Sequence, residues 1–510
     1  MPVERHPIAF GDLRGWMTAL KAEQELHEID AEVDWSVELG TIVRAAQGAG
    51  TGPALLFNNI KGYNQPGSRC RRLLAGGLAS YRRVALMLGL PCDTHPRELV
   101  RIGRNVLDGR IPPQVVTDGP VKENVVTGSG IDLCQFPVPL WNRNDGGRYL
   151  LTYGGVVTRD AQTGIMNVGI YRGMIGSRDQ IPILVWRAQH LGQHVTGWQQ
   201  GGKTEMPIAV AIGWEPSLGF CAGTPVPHGV CEYDVMGAIR GAPVELVKCE
   251  TVDLHVPATA EIVIEGYLQL DPEKYMMEGP FAEVTGYVAG ERAPKPTIRV
   301  TAITHRNDPI LRGAIEGALP GSYSENAICS SIMRSAAAWN VLDRAGVPGI
   351  TDVWCPPVHA GVNLLVRMRQ TYRNQAKQAA NAIWGSSAGH VRYKLITVVD
   401  DDIDIHDYAA VDWAIAYRVN AGENDIVIMP STFGSALDPS TRKRDRNASL
   451  FGTGKWNRVL IDATMNLDYD PDPDLGGARF PPTVWPAQKD IEAAKARWPE
   501  LGLGAWPARD

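Results

Sequence analysis

One arginine and two glutamates are the residues of this sequence best equipped for acid–base chemistry. Arg172 stands in "MNVGIYRGMI", an otherwise largely apolar run. A buried guanidinium needs an anionic partner. Separately, "MMEGPFAEVTGY" carries two acids, Glu278 and Glu283, that bracket a Gly-Pro-Phe bend. Their spacing of five residues sends two side chains to different faces of a strand or of a helix. Gly279-Pro280 rules out a regular element across the gap, so only a bend or loop could bring both acids to one site. Two carboxylates, if placed close together, disfavour ionising together, which could keep one of them protonated near neutral pH. The plain alternative is a pair of solvated loop acids, with the arginine held by an unrelated structural glutamate.

A second set has the chemistry of cation and phosphate binding. Asn167 shares a segment with Arg172, and their odd separation points them to opposite faces unless Gly169 supplies a bulge. "WRAQHLGQHVTGW" carries His190 and His194 at the i, i+4 spacing of helical metal ligands, without the adjacent glutamate of a zinc hydrolase. Core or surface histidines are the alternative. "CAGTPVPHGVCEYDVMGA" is a loop of small residues entering a helix. Its Ala222, Gly223 and Thr224 leave backbone groups open to a phosphate or an ion, and Glu232 stands at the helix start. Asp401, Asp402 and Asp404 in "VVDDDIDIHD" read either as a Mg²⁺ cluster or as a turn closing a buried strand. No dinucleotide fingerprint, P-loop or nucleophile elbow is present.

These residues lie in a chain with three textures. Residues 11–110 alternate helices ("DLRGWMTALKAEQEL" with Asp12 as N-cap, "SYRRVALMLGL", "PRELVRIGRNVLDG") with short strands ("ALLFNNI", "RRLLAGGL"). From about 115 to 305, many β-type segments joined by Gly, Pro and Asp turns predict a barrel or sandwich. From about 320 the α/β texture returns, led by the helix "SENAICSSIMRSAAAWNVLDRAG" with a serine N-cap. The 510 residues carry a formal net charge of −6, so there is no basic footprint for nucleic acid. No apolar run has the length of a membrane span, and the first residues lack a secretory h-region. Eight cysteines without a CxxC pair fit free thiols in a reducing cytoplasm.

Together these segments resemble the UbiD family of prenylated-FMN-dependent decarboxylases, over roughly residues 10–465. "NVGIYR" matches the family's catalytic arginine at Arg172, and "EGPFAE" its two glutamates at Glu278 and Glu283. Asn167, His190 of "AQHL" and Glu232 of "VCEYDVMGAIRG" match its divalent-cation set. "GPVKENVVTG", "FPVPLWNRNDGGRYLLTYG" and "ELVKCETVDLHVPATAEIVIEG" match further.

The resemblance implies an α/β (α+β) fold: an N-terminal α/β domain (1–114) and a split-barrel domain binding prenylated FMN (115–315). A linker helix (316–335), a C-terminal α/β oligomerisation domain (336–465) and a tail (466–510) would follow. It implies Mn²⁺ or Mg²⁺ on Asn167, His190 and Glu232. K⁺ or Na⁺ would sit near carbonyls of Val168, Cys221, Thr224 and Arg418. A flavin lining of Gly169, Ile170, Tyr171, Gln189, Ala222, Gly223, Thr224 and Pro225 completes the set. The implied activity is reversible, non-oxidative decarboxylation of an aromatic acid through a covalent adduct with the cofactor, Glu283 donating the proton that replaces CO₂. A flavin prenyltransferase would supply the cofactor, and the assembly would be a homodimer or homohexamer.

Substrate is read from departures. Glu316 stands where fungal phenylacrylate members carry cysteine. His390 and a serine replace a tyrosine and a phosphate-contacting lysine, and Arg187 lies nearby. These polar residues point to a heteroaromatic acid such as indole-3-, pyrrole-2- or phenazine-carboxylate. Phenolic acids such as vanillate, then phenylacrylic acids, are the alternatives. A plain FMN reductase-like protein and a non-catalytic subunit are the readings of other classes.

Overall fold

The computed structural model describes residues 4–224, 226–227, 229–445 and 454–506. The N-terminal unit opens with the helix Leu13–Ala22, whose cap is the expected one: Asp12 Oδ1 accepts from the Gly15 N–H at 2.7 Å. Trp16, Met17 and Leu20 on its inner side are buried. Its sheet holds Leu26–Ile29, Ala54–Phe57 and Arg72–Ala75, and takes a fourth strand, Ile310–Arg312, from far along the chain. That strand lies parallel to Arg72–Ala75, so the N-terminal sheet is completed by residues the sequence reading gave to the middle domain.

The middle of the chain forms β1 (Asn124–Thr127), β2 (Gly155–Arg159), β3 (Met166–Gly169), β4 (Gln180–Pro182), β5 (Glu205–Ile212) and β6 (Ile262–Gln269). β7 (Met276–Glu278), β8 (Ala293–Lys295) and β9 (Thr297–His305) follow. All but β7 and β8 build one antiparallel sheet in the order β4-β9-β6-β5-β2-β3, with β1 also pairing along β9. This sheet is the strand-rich region expected from the sequence. β5 and β6 are buried along most of their length, as their nearly continuous apolar runs require. β7 and β8 form a separate two-stranded ribbon.

Three helices frame the site: α1 (His190–Gln200), α2 (Glu232–Arg240) and α3 (Glu325–Arg344). Ser324 caps α3 by accepting from the Ala327 N–H at 3.1 Å. The sequence placed a linker helix at 316–335; the helix instead begins at Glu325 and runs to Arg344. Most of its residues are buried, against helix Pro96–Asp108 and strand Ile350–Trp354. The C-terminal sheet has Asn363–Met368, Leu395–Asp400 and Gly454–Ala463 parallel at its centre. Antiparallel edges lie at Ile350–Trp354 and Ile426–Gly434. In the tail, helix Gln488–Arg497 buries none of its residues. The eight cysteines are free. Among the described residues no helix is long and apolar enough to cross a membrane.

Candidate active site

The bend between the two glutamates is built by backbone. β7 ends at Glu278, and Gly279 takes φ of +95°, which favours glycine over residues with a Cβ. A cis peptide leads to Pro280, and Phe281-Ala282 pairs with Val288-Ala289. The segment "NDGGRY" grips this turn: the Gly146 N–H donates to Pro280 O at 2.7 Å, and the Ala282 N–H to Asp145 Oδ1 at 2.8 Å. The Tyr149 hydroxyl oxygen lies 3.1 Å from Pro280 O. So held, Glu278 and Glu283 converge on one guanidinium. Arg172 Nη2 donates to Glu278 Oε2 at 3.0 Å, Nε lies 2.9 Å from Glu278 Oε1, and Nη1 donates to Glu283 Oε1. All three side chains are buried. The chain at Gly290 passes so close to Arg172 that a Cβ there would lie 2.7 Å from Nη2. The odd spacing of Asn167 and Arg172 is resolved without a bulge: β3 ends at Gly169, and the chain leaves the sheet before Arg172.

The two carboxyls are not equivalent. Glu278 also accepts from the Tyr149 hydroxyl at 2.7 Å. Glu283 has Arg172 and its neighbour's Val284 N–H, at 3.4 Å. Burial pushes the Glu283 carboxyl above its ordinary range, against the pull of Arg172. Glu316 is buried close by. Burial, with the charge of Glu283, raises it to about 8, so it is largely neutral at pH 7.

Arg172 and Glu283 open onto a cavity of about 300 Å³ between the central sheet, α3 and the C-terminal domain. Leu151, Ile170, Leu184, Trp186, Phe281 and Leu437 give it apolar walls. Asn167, Gly169, Tyr171, Gln189, His190, Ala222, Gly223, Thr224 and Glu232 also line it. Asn167 Oδ1 is 2.9 Å from His190 Nδ1, and Glu232 Oε1 is 3.9 Å from that nitrogen. An amide oxygen, an imidazole and a carboxylate around one point are a donor set for a hard-to-borderline divalent cation. Burial drives Glu232 up to about 8, the behaviour of a carboxylate that a cation would complete. Trp186 Nε1 is buried in the wall with no hydrogen-bond partner among the described residues. Among the described residues no three His, Cys, Asp or Glu side chains cluster, and the Asn167 set contains two of those types.

Other expectations separate. His194 turns away from His190, to Thr158 Oγ1 at 2.9 Å, so the i, i+4 histidines do not share a site. Asp401, Asp402 and Asp404 follow the buried strand Leu395–Asp400. They pair with Arg369, Arg418 and Arg97, each within 2.8 Å, which supports the turn reading over Mg²⁺. Arg418 is committed to Asp400 and Asp402, so any role with a monovalent ion falls to its backbone carbonyl. Val168, whose N–H donates to Glu232 Oε2 at 2.6 Å, and the buried Cys221 stand behind the lining. Glu316 and His390 line the cavity, whereas Arg187 is exposed between the lining residues Trp186 and Ala188. Pro225 lies outside the described residues. Asn326, Arg334 and Arg392 of the lining, and Tyr149 and Lys295 behind Glu278, were not singled out from the sequence.

The fold, the paired glutamates on one arginine and the adjacent donor set define a carboxy-lyase of the UbiD class. Residues 17–102 match the 3-octaprenyl-4-hydroxybenzoate carboxy-lyase N-terminal domain, 114–319 the Rift-related domain and 328–463 the C-terminal domain. The chain belongs to the UbiD family. It is 36% identical over 424 residues to pyrrole-2-carboxylic acid decarboxylase of Pseudomonas aeruginosa, spanning 80% of this chain and 83% of that one. Vanillic acid decarboxylase of Sedimentibacter hydroxybenzoicus, in closed form, superposes with a TM-score of 0.84 at 28% identity, covering 97% of this chain and all of that one. The UbiD-class enzyme HmfF of Pelotomaculum thermopropionicum, in complex with FMN, gives 0.77 at 30% identity, covering 95% and 99%. An evolved dimeric form of HmfF in complex with prFMN gives 0.76 at 28% identity, covering 95% and 100%.

Proposed function

We propose that this chain decarboxylates a heteroaromatic carboxylic acid, reversibly and without net oxidation, with prenylated FMN in the 300 Å³ cavity. The observation that carries the reading is the Arg172–Glu278–Glu283 network opening onto the cavity that also holds Asn167, His190 and Glu232. The buried Trp186 Nε1, without a partner among the described residues, and the small residues Gly169, Ala222 and Gly223 suit a large polar cofactor. Mn²⁺ or Mg²⁺ would be held by Asn167, His190 and Glu232, with K⁺ or Na⁺ near the carbonyls of Val168, Cys221 and Thr224. The modified flavin, when bound, supplies the electron sink that loss of CO₂ from an sp² carbon requires.

The chain's own residues do the rest. Arg172 offers a charge-assisted contact for the substrate carboxylate while it holds both glutamates in place. Glu283, buried and raised, delivers its proton to the carbon that CO₂ leaves; in the reverse direction it takes that proton back. Glu278 stays with Arg172. The apolar walls exclude water and favour a flat ring. Glu316 and His390 in the wall suit a ring bearing an N–H or hydroxyl, and the likeness to a pyrrole-2-carboxylic acid decarboxylase agrees with that choice. Phenolic acids are the second choice, supported by the likeness to a vanillic acid decarboxylase.

Glu283→Gln, loaded with prenylated FMN, tests the assignment. It should retain flavin and lose both CO₂ release and solvent hydrogen exchange into the decarboxylated product. Wild-type rates in that variant would overturn the proton-donor role.

A further inference from the structure

We propose that Lys295 and Tyr149 are positioning residues that fix the negative charge on Glu278, so that the transferable proton of the pair resides on Glu283. The inference rests on the proton-donor reading above and deepens it. In the ribbon, Glu278 pairs with Ala293 and Met276 with Lys295. The paired Met277 and Pro294 face outward and are exposed. Glu278 and Lys295 therefore share the buried face as diagonal neighbours, and the ammonium acts on the carboxylate through space rather than as a direct ion pair. Glu278 is 0% and Lys295 2% exposed, so the ammonium acts on the carboxylate through a medium that screens weakly. Tyr149 adds its hydroxyl at 2.7 Å, and Arg172 adds its Nε and Nη2 edge.

The surroundings of Glu283 are poorer. Arg172 Nη1 is its one charged donor among the described residues, and the Glu316 carboxyl stands near it. The groups facing the pair are thus Arg172, shared by both glutamates, Lys295 and Tyr149 on the Glu278 side, and the Glu316 carboxyl on the Glu283 side. Asp145 stands behind Tyr149 and Arg172. Lys295 and the Tyr149 hydroxyl, which stand on the Glu278 side, favour the anion on Glu278 and so leave the proton on Glu283. The raised Glu283 carboxyl agrees with this division. Burial lowers the Lys295 ammonium to about 8, so its support holds below that pH and fades above it. The ribbon thereby makes an asymmetric acid pair from two glutamates bound to the same arginine.

The test uses Lys295→Met, Lys295→Arg and Tyr149→Phe beside Glu283→Gln and Glu278→Gln. In flavin-free protein, isotope-edited infrared spectra report the protonated carboxyl band that Glu283→Gln removes. In the Lys295→Met background, part of that band should instead disappear with Glu278→Gln, because the proton is then shared. In loaded enzyme, Lys295→Met and Tyr149→Phe should lower kcat by about ten-fold with KM little changed. They should also move the basic limb of the kcat–pH profile upward, since losing a cation or a donor strengthens proton binding by the pair. Lys295→Arg should restore both. The proposal is overturned if the band stays wholly on Glu283 in Lys295→Met, or if kcat falls with an unmoved limb that arginine does not rescue. Full activity in Glu283→Gln would instead overturn the proton-donor reading itself.

Discussion

Replacing Arg172 by methionine leaves two buried carboxyls, Glu278 and Glu283, that shared its guanidinium. Removing one partner of a buried ion pair costs about 3–5 kcal/mol, because the charge left behind has lost both water and partner. The fold can reduce that cost by keeping a proton that the unfolded chain releases above its ordinary carboxylate range. The native state then binds more protons than the unfolded state, so stability falls as pH rises, by up to about 1.4 kcal/mol per pH unit per proton. Wild-type Glu283 is already raised and shows part of this slope. Relative to wild type, the loss in Arg172→Met should therefore be smallest near pH 5 and grow by about 1–3 kcal/mol by pH 7. Adding Glu283→Gln should recover most of the loss at pH 7, because Glu278 keeps Lys295 on its face of the ribbon and the Tyr149 hydroxyl. Denaturant midpoints of flavin-free protein at the two pH values measure this. An equal loss at both, or no recovery in the double variant, would refute the reasoning.

Further outcomes are specific. Glu316→Gln removes a cavity carboxyl that ionises around pH 8; KM for a ring N–H acid, changing through that pH in wild type, should become flat in the variant, as steady-state profiles will register. Glu232→Gln should lower the Mn²⁺ content of purified protein, read by elemental analysis, while leaving circular dichroism unchanged. Gly146→Ala would place a Cβ 2.0 Å from Gly279 O, displacing the turn that carries both glutamates. It should reduce kcat by at least about ten-fold, with thermal unfolding showing a loss of about 1–3 kcal/mol. Asp12→Ala should cost about 1 kcal/mol in helix capping, and somewhat more because Asp12 Oδ2 also accepts from Arg306 at 2.6 Å.

The core of the site was legible because its chemistry sits in short, ordered segments. Arg172 in an apolar run called for an acid, but its pairing with Glu278 and Glu283 was legible only through the family likeness, since their spacing alone reads as two solvated loop acids. Asn167, His190 and Glu232 were legible from the family likeness, and the structure brings them into one wall. Lys295 was not legible: its closeness to Glu278 depends on the register of a ribbon whose strands are separated by a loop. Tyr149 lay inside a quoted motif, yet its role appears only when the 145–149 segment closes over the bend. Arg334 and Arg392 reach the cavity from α3 and the C-terminal domain, a long-range meeting that local pattern does not encode. Arg187 is exposed and is not among the lining residues, although its sequence neighbours Trp186 and Ala188 are. The fourth strand of the N-terminal sheet, Ile310–Arg312, escaped the domain boundaries because chain order and sheet order differ.

The most direct test of the account is made on the protein purified after co-expression with a flavin prenyltransferase. The mass of the released cofactor and CO₂ evolution are measured together on a panel of pyrrole-2-, indole-3- and phenazine-carboxylate, vanillate and cinnamate. The account predicts prenylated FMN, and CO₂ from a ring N–H or hydroxyl acid in preference to cinnamate. Plain FMN with no CO₂ release from any acid, or protein that retains no flavin, would contradict it.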